Sequence, residues 1–130
     1  MCIRDRASLG AKMRWEDFRF QARIVSQSTQ FEDTSKDYQS TLINVATIYS
    51  WNPWVFGFNF QNYDKQYQNP DLASNLVLQN KKDEMTLNFK YSFSNATLAG
   101  ADLKQIKQAS NDETRSYKAN QITVQYIWMF

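Results

Sequence analysis

The 130-residue chain contains no histidine, one cysteine, two prolines and three glycines. Without histidine, no Ser-His or Cys-His nucleophilic pair and no His-bearing metal site can be built from this chain alone. The single cysteine, Cys2, has no partner for an internal disulfide. No apolar run approaches the ~20 residues that a membrane helix needs, and mean hydropathy is −0.64. Charge is not concentrated either. Fifteen Lys and Arg stand against thirteen Asp and Glu, for a net charge of +2, and no basic block marks a nucleic-acid surface. The sequence therefore leads to no enzyme, no catalytic, cofactor-binding or metal-binding residues, no cofactor and no nucleic-acid partner. The length allows one domain at most.

What is present is alternation. Twenty aromatic residues, four Trp, seven Tyr and nine Phe, fall largely on every second position, the period of a strand with one apolar face. About six strand-like segments emerge, with no helical period competing. The first, about 17–27, sets Phe18, Phe20, Ala22 and Ile24 against Arg19, Gln21 and Arg23. The second, about 38–51, puts Ile43, Val45, Thr47, Tyr49 and Trp51 on one face. The third, about 54–64, opposes Trp54, Phe56, Phe58 and Phe60 to Val55, Gly57, Asn59 and Gln61. The fourth, about 83–94, opposes Met85, Leu87, Phe89, Tyr91 and Phe93 to Thr86, Asn88, Lys90 and Ser92. In the fifth, about 97–108, small residues blur the parity, with Ala99, Ala101 and Leu103 against Gly100, Asp102 and Lys104. The last, about 116–130, sets Ile122, Val124, Tyr126, Trp128 and Phe130 against Thr123, Gln125, Ile127 and Met129.

That last strand resembles the C-terminal strand of Gram-negative outer-membrane β-barrels. It ends on a terminal Phe, preceded at alternate positions by aromatic or aliphatic residues. The resemblance implies a transmembrane barrel in the outer membrane. It also implies lipid against one face, and recognition of Ile122, Val124, Tyr126, Trp128 and Phe130 by the barrel-assembly machinery. The spacing of connections points the same way. They alternate long (28–37), short (52–53), long (65–82), short (94–96) and long (109–115), as expected of a barrel with short periplasmic turns and longer external loops. Trp51, Trp54, Phe56, Phe93, Trp128 and Phe130 lie near the short-turn ends. Tyr38, Tyr63 and Tyr117 lie near the other ends, as a second girdle or, by strict parity, facing the pore mouth.

The expected fold is thus all-β, an antiparallel up-and-down meander of about six strands forming part of a transmembrane β-barrel. Six strands do not close a membrane barrel. Residues 17–130 therefore read as the C-terminal portion of a larger barrel, with closure by several chains as the other route. Residues 1–16 read as a non-native or poorly ordered start, since Met1–Arg6 resembles translated adapter sequence rather than a secretory signal.

Arg19, Arg23, Lys90, Asp102 and Lys104, with Glu84, have lumen parity. Two readings stand for them: an electropositive pore wall favouring anions, or charges that pair across strands. Tyr38, Tyr63, Tyr67 and Tyr117 read either as sugar-stacking residues at the mouth or as an interface belt. The loop acids Asp71, Asp112 and Glu113 are assigned no site. The expected function is porin-like passive passage of small polar or anionic solutes. Two other readings remain: a barrel for partner binding or for polysaccharide or lipoprotein export, and a soluble β-sandwich binding module.

Overall fold

The computed structural model describes residues 3–31, 36–70, 75–94 and 97–128. They form one antiparallel sheet of seven strands in sequence order: β1 (Ile3–Trp15), β2 (Phe18–Gln30), β3 (Tyr38–Trp51), β4 (Trp54–Pro70), β5 (Val77–Ser94), β6 (Thr97–Ser110) and β7 (Tyr117–Trp128). The meander is open, because β1 and β7 pair only with β2 and β6. A 3-10 turn, Glu113–Arg115, interrupts the last connection.

Three differences from the sequence reading follow from physical causes. First, there are seven strands, not six. Ile3–Trp15 pairs with β2 along its whole length, with Leu9, Ala11, Met13 and Trp15 alternating against Gly10, Lys12 and Arg14. Alanines and a glycine gave that alternation little contrast. Second, most of 65–82 is strand, not loop. β4 runs on to Pro70 and β5 starts at Val77. Polar residues fill both faces there, so no apolar period marks them. Proline cannot donate to a ladder from a strand interior, and the register shifts between Gln66 and Pro70. Third, the long connections shrink to 31–37, 71–76 and 111–116, while the short ones, 16–17, 52–53 and 95–96, are all two residues. Antiparallel order places every short turn at one end of the sheet and every longer connection at the other.

The sheet encloses almost no apolar core. Val25 and Leu78 are the only buried hydrophobic residues among those described. The chain exposes 9539 Å², whereas a compact monomer of 15.3 kDa exposes roughly 7,100 Å².

Candidate functional site

The register joins the separate alternations into two continuous faces. Residues directly opposite in an antiparallel pair project to the same side. One row runs Met13, Phe20, Thr47, Phe58, Leu87, Leu103 and Ile122 from β1 to β7; the next runs Trp15, Phe18, Tyr49, Phe56, Phe89, Ala101 and Val124. The other face carries the row Arg14, Arg19, Ile48, Gly57, Asn88, Asp102 and Thr123 and the row Lys12, Gln21, Ala46, Asn59, Thr86, Lys104 and Gln121. One side is therefore aromatic and aliphatic, and the other is polar and charged.

Along β3 and β6 exposure runs opposite to that of a soluble sheet, whereas in β2 Phe18, Phe20 and Ala22 are half-buried and Arg19, Gln21 and Arg23 exposed. In β6 the polar-face residues Lys104, Ile106, Gln108 and Ser110 are half-buried, while Leu103, Gln105, Lys107 and Ala109 on the other face are exposed. Val25, Thr29, Ser40 and Leu78 are buried, and all four project from the polar face. The polar face is thus the more sheltered one at these positions. On the apolar face, Trp15, Tyr49, Trp51, Trp54, Phe93, Tyr126 and Trp128 are exposed, and these rings form a belt near the short turns. Trp54 meets Tyr91 at 4.6 Å between centroids, Tyr91 meets Phe93 edge-on at 4.7 Å, and Phe56 meets Phe89 edge-on at 5.9 Å.

The apolar band does not run parallel to the hydrogen-bonded rows. On β2 it spans Phe18 to Ile24, on β4 Trp54 to Phe60, and on β7 Ile122 to Trp128. Beyond it, the same face turns polar with Asn62, Asp64, Asp83, Lys107 and Lys118. Both margins drift in one direction by four residues from β1 to β7. That is about 14 Å along the strands against about 29 Å across six inter-strand spacings, a slope of roughly 25°.

The polar face divides into two halves. On the β5–β6 side the two carboxylates are engaged. Glu84 lies 2.6 Å from the Lys104 ammonium and 3.3 Å from that of Lys82. Asp102 accepts a 2.7 Å hydrogen bond from Asn88 Nδ2. In the middle, Asn44 Nδ2 donates to Asn59 Oδ1 at 2.8 Å. Gly57 makes room beside Asn88, because a Cβ there would lie 3.0 Å from Asn88 Oδ1. On the β1–β2 side, Lys12, Arg14, Arg19 and Arg23 have no carboxylate within ion-pair distance among the described residues.

Arg19, Arg23, Lys90, Asp102 and Lys104 all stand on this polar face. Lys12 and Arg14 join them from β1, a strand the sequence reading had set aside; the alternation of residues 9–15 carried their signal. Ile122, Val124, Tyr126 and Trp128 share the apolar face, 62–77% exposed. Phe130 lies outside the described residues, as do Cys2, Asp71 and the 95–96 turn.

The tyrosines do not form a second girdle on the apolar side. Tyr38, Tyr63, Tyr67 and Tyr117 lie on the polar face near the long connections. Tyr38 and Tyr67 hold the Lys65 ammonium at 3.8 and 4.5 Å from their ring centroids. Phe31 packs against Tyr38 at 6.4 Å, and Gln27 Nε2 donates to the Tyr38 hydroxyl at 3.3 Å. Asn111 pins the last connection onto β5, its amide donating to the Val77 carbonyl at 2.7 Å and accepting from the Gln79 N–H at 3.0 Å. Asp112 caps the 3-10 turn. The Thr114 hydroxyl holds its carboxyl below the usual range, aided by the Thr114 N–H and by Arg115. Among the described residues, no group of three acidic or thiol side chains is placed to hold a metal ion, and no helix is long and apolar enough to cross a membrane.

No family model, no curated protein and no solved structure matches this chain.

Proposed function

We propose that this sheet is part of the wall of an outer-membrane β-barrel, with its apolar face against lipid and its polar face lining a passage for small polar solutes. One observation carries the reading: the sheet is inside out. Most of its large apolar side chains are exposed on one continuous face, while charged and amide side chains occupy the other, which is the more sheltered across β3 and β6. In water that arrangement leaves the hydrophobic driving force unused. In a bilayer, the outward apolar band and polar interior are what a barrel wall requires. The aromatic belt at the short-turn end fits one lipid interface, and the polar rim near the long connections fits emergence into water. Passage would be diffusive, filtered by width and by the charge of the wall.

Unpaired strand edges are costly in hydrocarbon, at several kcal/mol for each unsatisfied backbone group. Residence in a membrane therefore needs further strands against β1 and β7, from the same polypeptide or from additional copies. The sandwich alternative needs a second sheet over the apolar face, and the described residues form a single sheet.

The test is reconstitution. The chain, refolded in detergent, is expected to float with phospholipid vesicles and to migrate differently on gels before and after heating. Assembled into a closed wall, it is expected to give discrete conductance steps in planar bilayers. A chain that folds with β circular dichroism in detergent-free buffer and sediments away from vesicles overturns the reading. Flotation without conductance in the closed assembly favours a barrel for partner binding or export.

A further inference from the structure

We propose that the β1–β2 side of the polar face binds phosphate-like oxyanions, with Arg14 and Arg19 as ligands and Lys12 and Arg23 as supporting charges. The proposal rests on the polar face being a lumen wall and gives that wall a solute class.

Arg14 and Arg19 are direct cross-strand partners on the same face. Like charges directly opposite one another destabilise a sheet, and such pairs are ordinarily relieved by an acid nearby. Neither arginine is in an ion pair among the described residues, although Glu16 and Asp17 stand in the turn that joins their strands. Across β2–β3, Arg19 faces Ile48, Gln21 faces Ala46 and Arg23 faces Asn44, none of them charged. On β1, Gly10, Ser8 and two further cations, Arg6 and Arg4, lie beyond Lys12 and Arg14 on that face. Farther along the same face, Glu84 of β5 and Asp102 of β6 are already engaged: Glu84 by two lysines and Asp102 by Asn88. Six cations, Arg4, Arg6, Lys12, Arg14, Arg19 and Arg23, thus stand on that half of the face without an ion pair among the described residues, whereas on the other half Lys82 and Lys104 share Glu84.

The half with excess charge also has room. Lys12, Arg14, Arg19, Gln21, Ala46 and Ile48, with Met13 and Phe20 of the apolar face at its margin, line an open depression of ≈390 Å³, larger than an inorganic phosphate. Guanidinium groups present planar, paired donors that match the oxygen geometry of phosphate and carboxylate. An open, partly hydrated site of this kind binds weakly and releases readily, as a conducting wall must.

The experiment titrates inorganic phosphate into the full chain folded in a zwitterionic detergent at low ionic strength, where surface charge is least screened. Binding is followed by calorimetry and by phosphorus NMR line broadening. Saturable binding is expected, weakened at least tenfold in the Arg14→Gln/Arg19→Gln double variant. Lys107→Gln, which removes a cation from the opposite face, is expected to leave it within twofold. If the double variant fails to fold, Arg14→Lys/Arg19→Lys keeps the charge without the paired donors and is expected to weaken binding threefold or more. Absent binding, equal affinity in wild type and arginine variants, or an equal loss in Lys107→Gln overturns the proposal. Vesicle flotation of the same samples reports separately on the membrane reading. Flotation without phosphate binding removes the anion site alone; phosphate binding without flotation removes the lumen instead.

Discussion

Thr123 and Val124 are consecutive in β7 and project to opposite sides, Thr123 beside Asp102 and Val124 beside Ala101. Placing an arginine at each in turn separates a lipid-facing wall from a water-facing surface. Val124 is 77% exposed. If that exposure is to water, Val124→Arg removes little burial and changes stability by no more than about 0.5 kcal/mol. If it is to lipid near the middle of the apolar band, the arginine costs roughly 2–4 kcal/mol, which is about 30- to 1,000-fold in the folding equilibrium. Thr123→Arg sets a cation across from the Asp102 carboxylate, an opposite-charge cross-strand pair that contributes roughly 0.2–1 kcal/mol. The two neighbouring substitutions are therefore expected to differ by about 2–5 kcal/mol, with Val124→Arg the weaker. The assay is urea unfolding of chain folded into phosphatidylcholine vesicles, followed by fluorescence of the four tryptophans. A difference below about 1 kcal/mol, or a Val124→Arg chain that gains solubility and folds without lipid, refutes the assignment of faces.

Three further outcomes are expected. Gly57→Ala puts a Cβ 3.0 Å from Asn88 Oδ1 and 3.2 Å from Asn88 Cβ; it should displace the amide from Asp102 and cost about 1 kcal/mol, read as a lower urea midpoint. The Asp112 cap is stabilising when ionised, because its folded-state pKa is lowered from 3.8. That contribution is present above the ordinary value and lost as pH falls through the lowered one, so the Thr114 N–H resonance should shift below pH 3.8 and should lose that step in Asp112→Asn. With the apolar band level in a bilayer, the strands should tilt by roughly 25° from the normal; polarised infrared spectra of oriented bilayers showing a tilt near zero would contradict the slope of the band.

Strand identity and facing were legible wherever large apolar side chains alternated with polar ones. In β4 and β5, Trp54–Phe60 and Met85–Phe93 defined the outward face by themselves, and register then joined them as parity required. The legible part ended where that contrast ended. β1 went uncounted because Met1–Arg6 resembles adapter sequence and Ala7, Gly10 and Ala11 give the residues after it little contrast, and Lys12 and Arg14 were lost with it. The outer halves of β4 and β5 read as loop because Gln66, Gln79, Lys81 and Lys82 are polar whichever side they face; backbone pairing, not hydrophobic period, keeps them in the sheet. Pairing between side chains was also out of reach. Parity put Lys104 and Asp102 on one face, but only the register reveals that Glu84 sits between two lysines while Arg14 and Arg19 sit opposite each other. The tyrosines show a similar limit. Their place near the long connections was visible, but Tyr38 and Tyr67 are turned inward around Lys65, a cation–aromatic arrangement whose partners lie on β3 and β4.

The two ends of the sheet are built differently, and the difference orients it. β4 and β5 contain 17 and 18 residues, while a tilted strand crosses the hydrocarbon in roughly 9–11. The surplus is not shared between the ends. At the short-turn end the apolar face runs almost to the last paired residues, Trp51 with Trp54 and Thr97 with Trp128, where indole rings are suited to an interface. At the other end the same face changes to Asn62, Asp64, Lys81 and Asp83 well before the strands stop. There Asn62 Nδ2 donates to Asp83 Oδ1 at 2.6 Å and Lys81 approaches Asp64 at 3.7 Å. Such groups are expensive in hydrocarbon and inexpensive in water, so a bilayer that covers the aromatic rows must stop short of them. In the proposed membrane setting the chain would protrude on the side of the long connections, carrying the Lys65–Tyr38–Tyr67 cluster and the Asn111 anchor with it. A water-filled passage behind the apolar band would open through that polar rim, and the uncompensated Arg14 and Arg19 would stand near its opposite mouth.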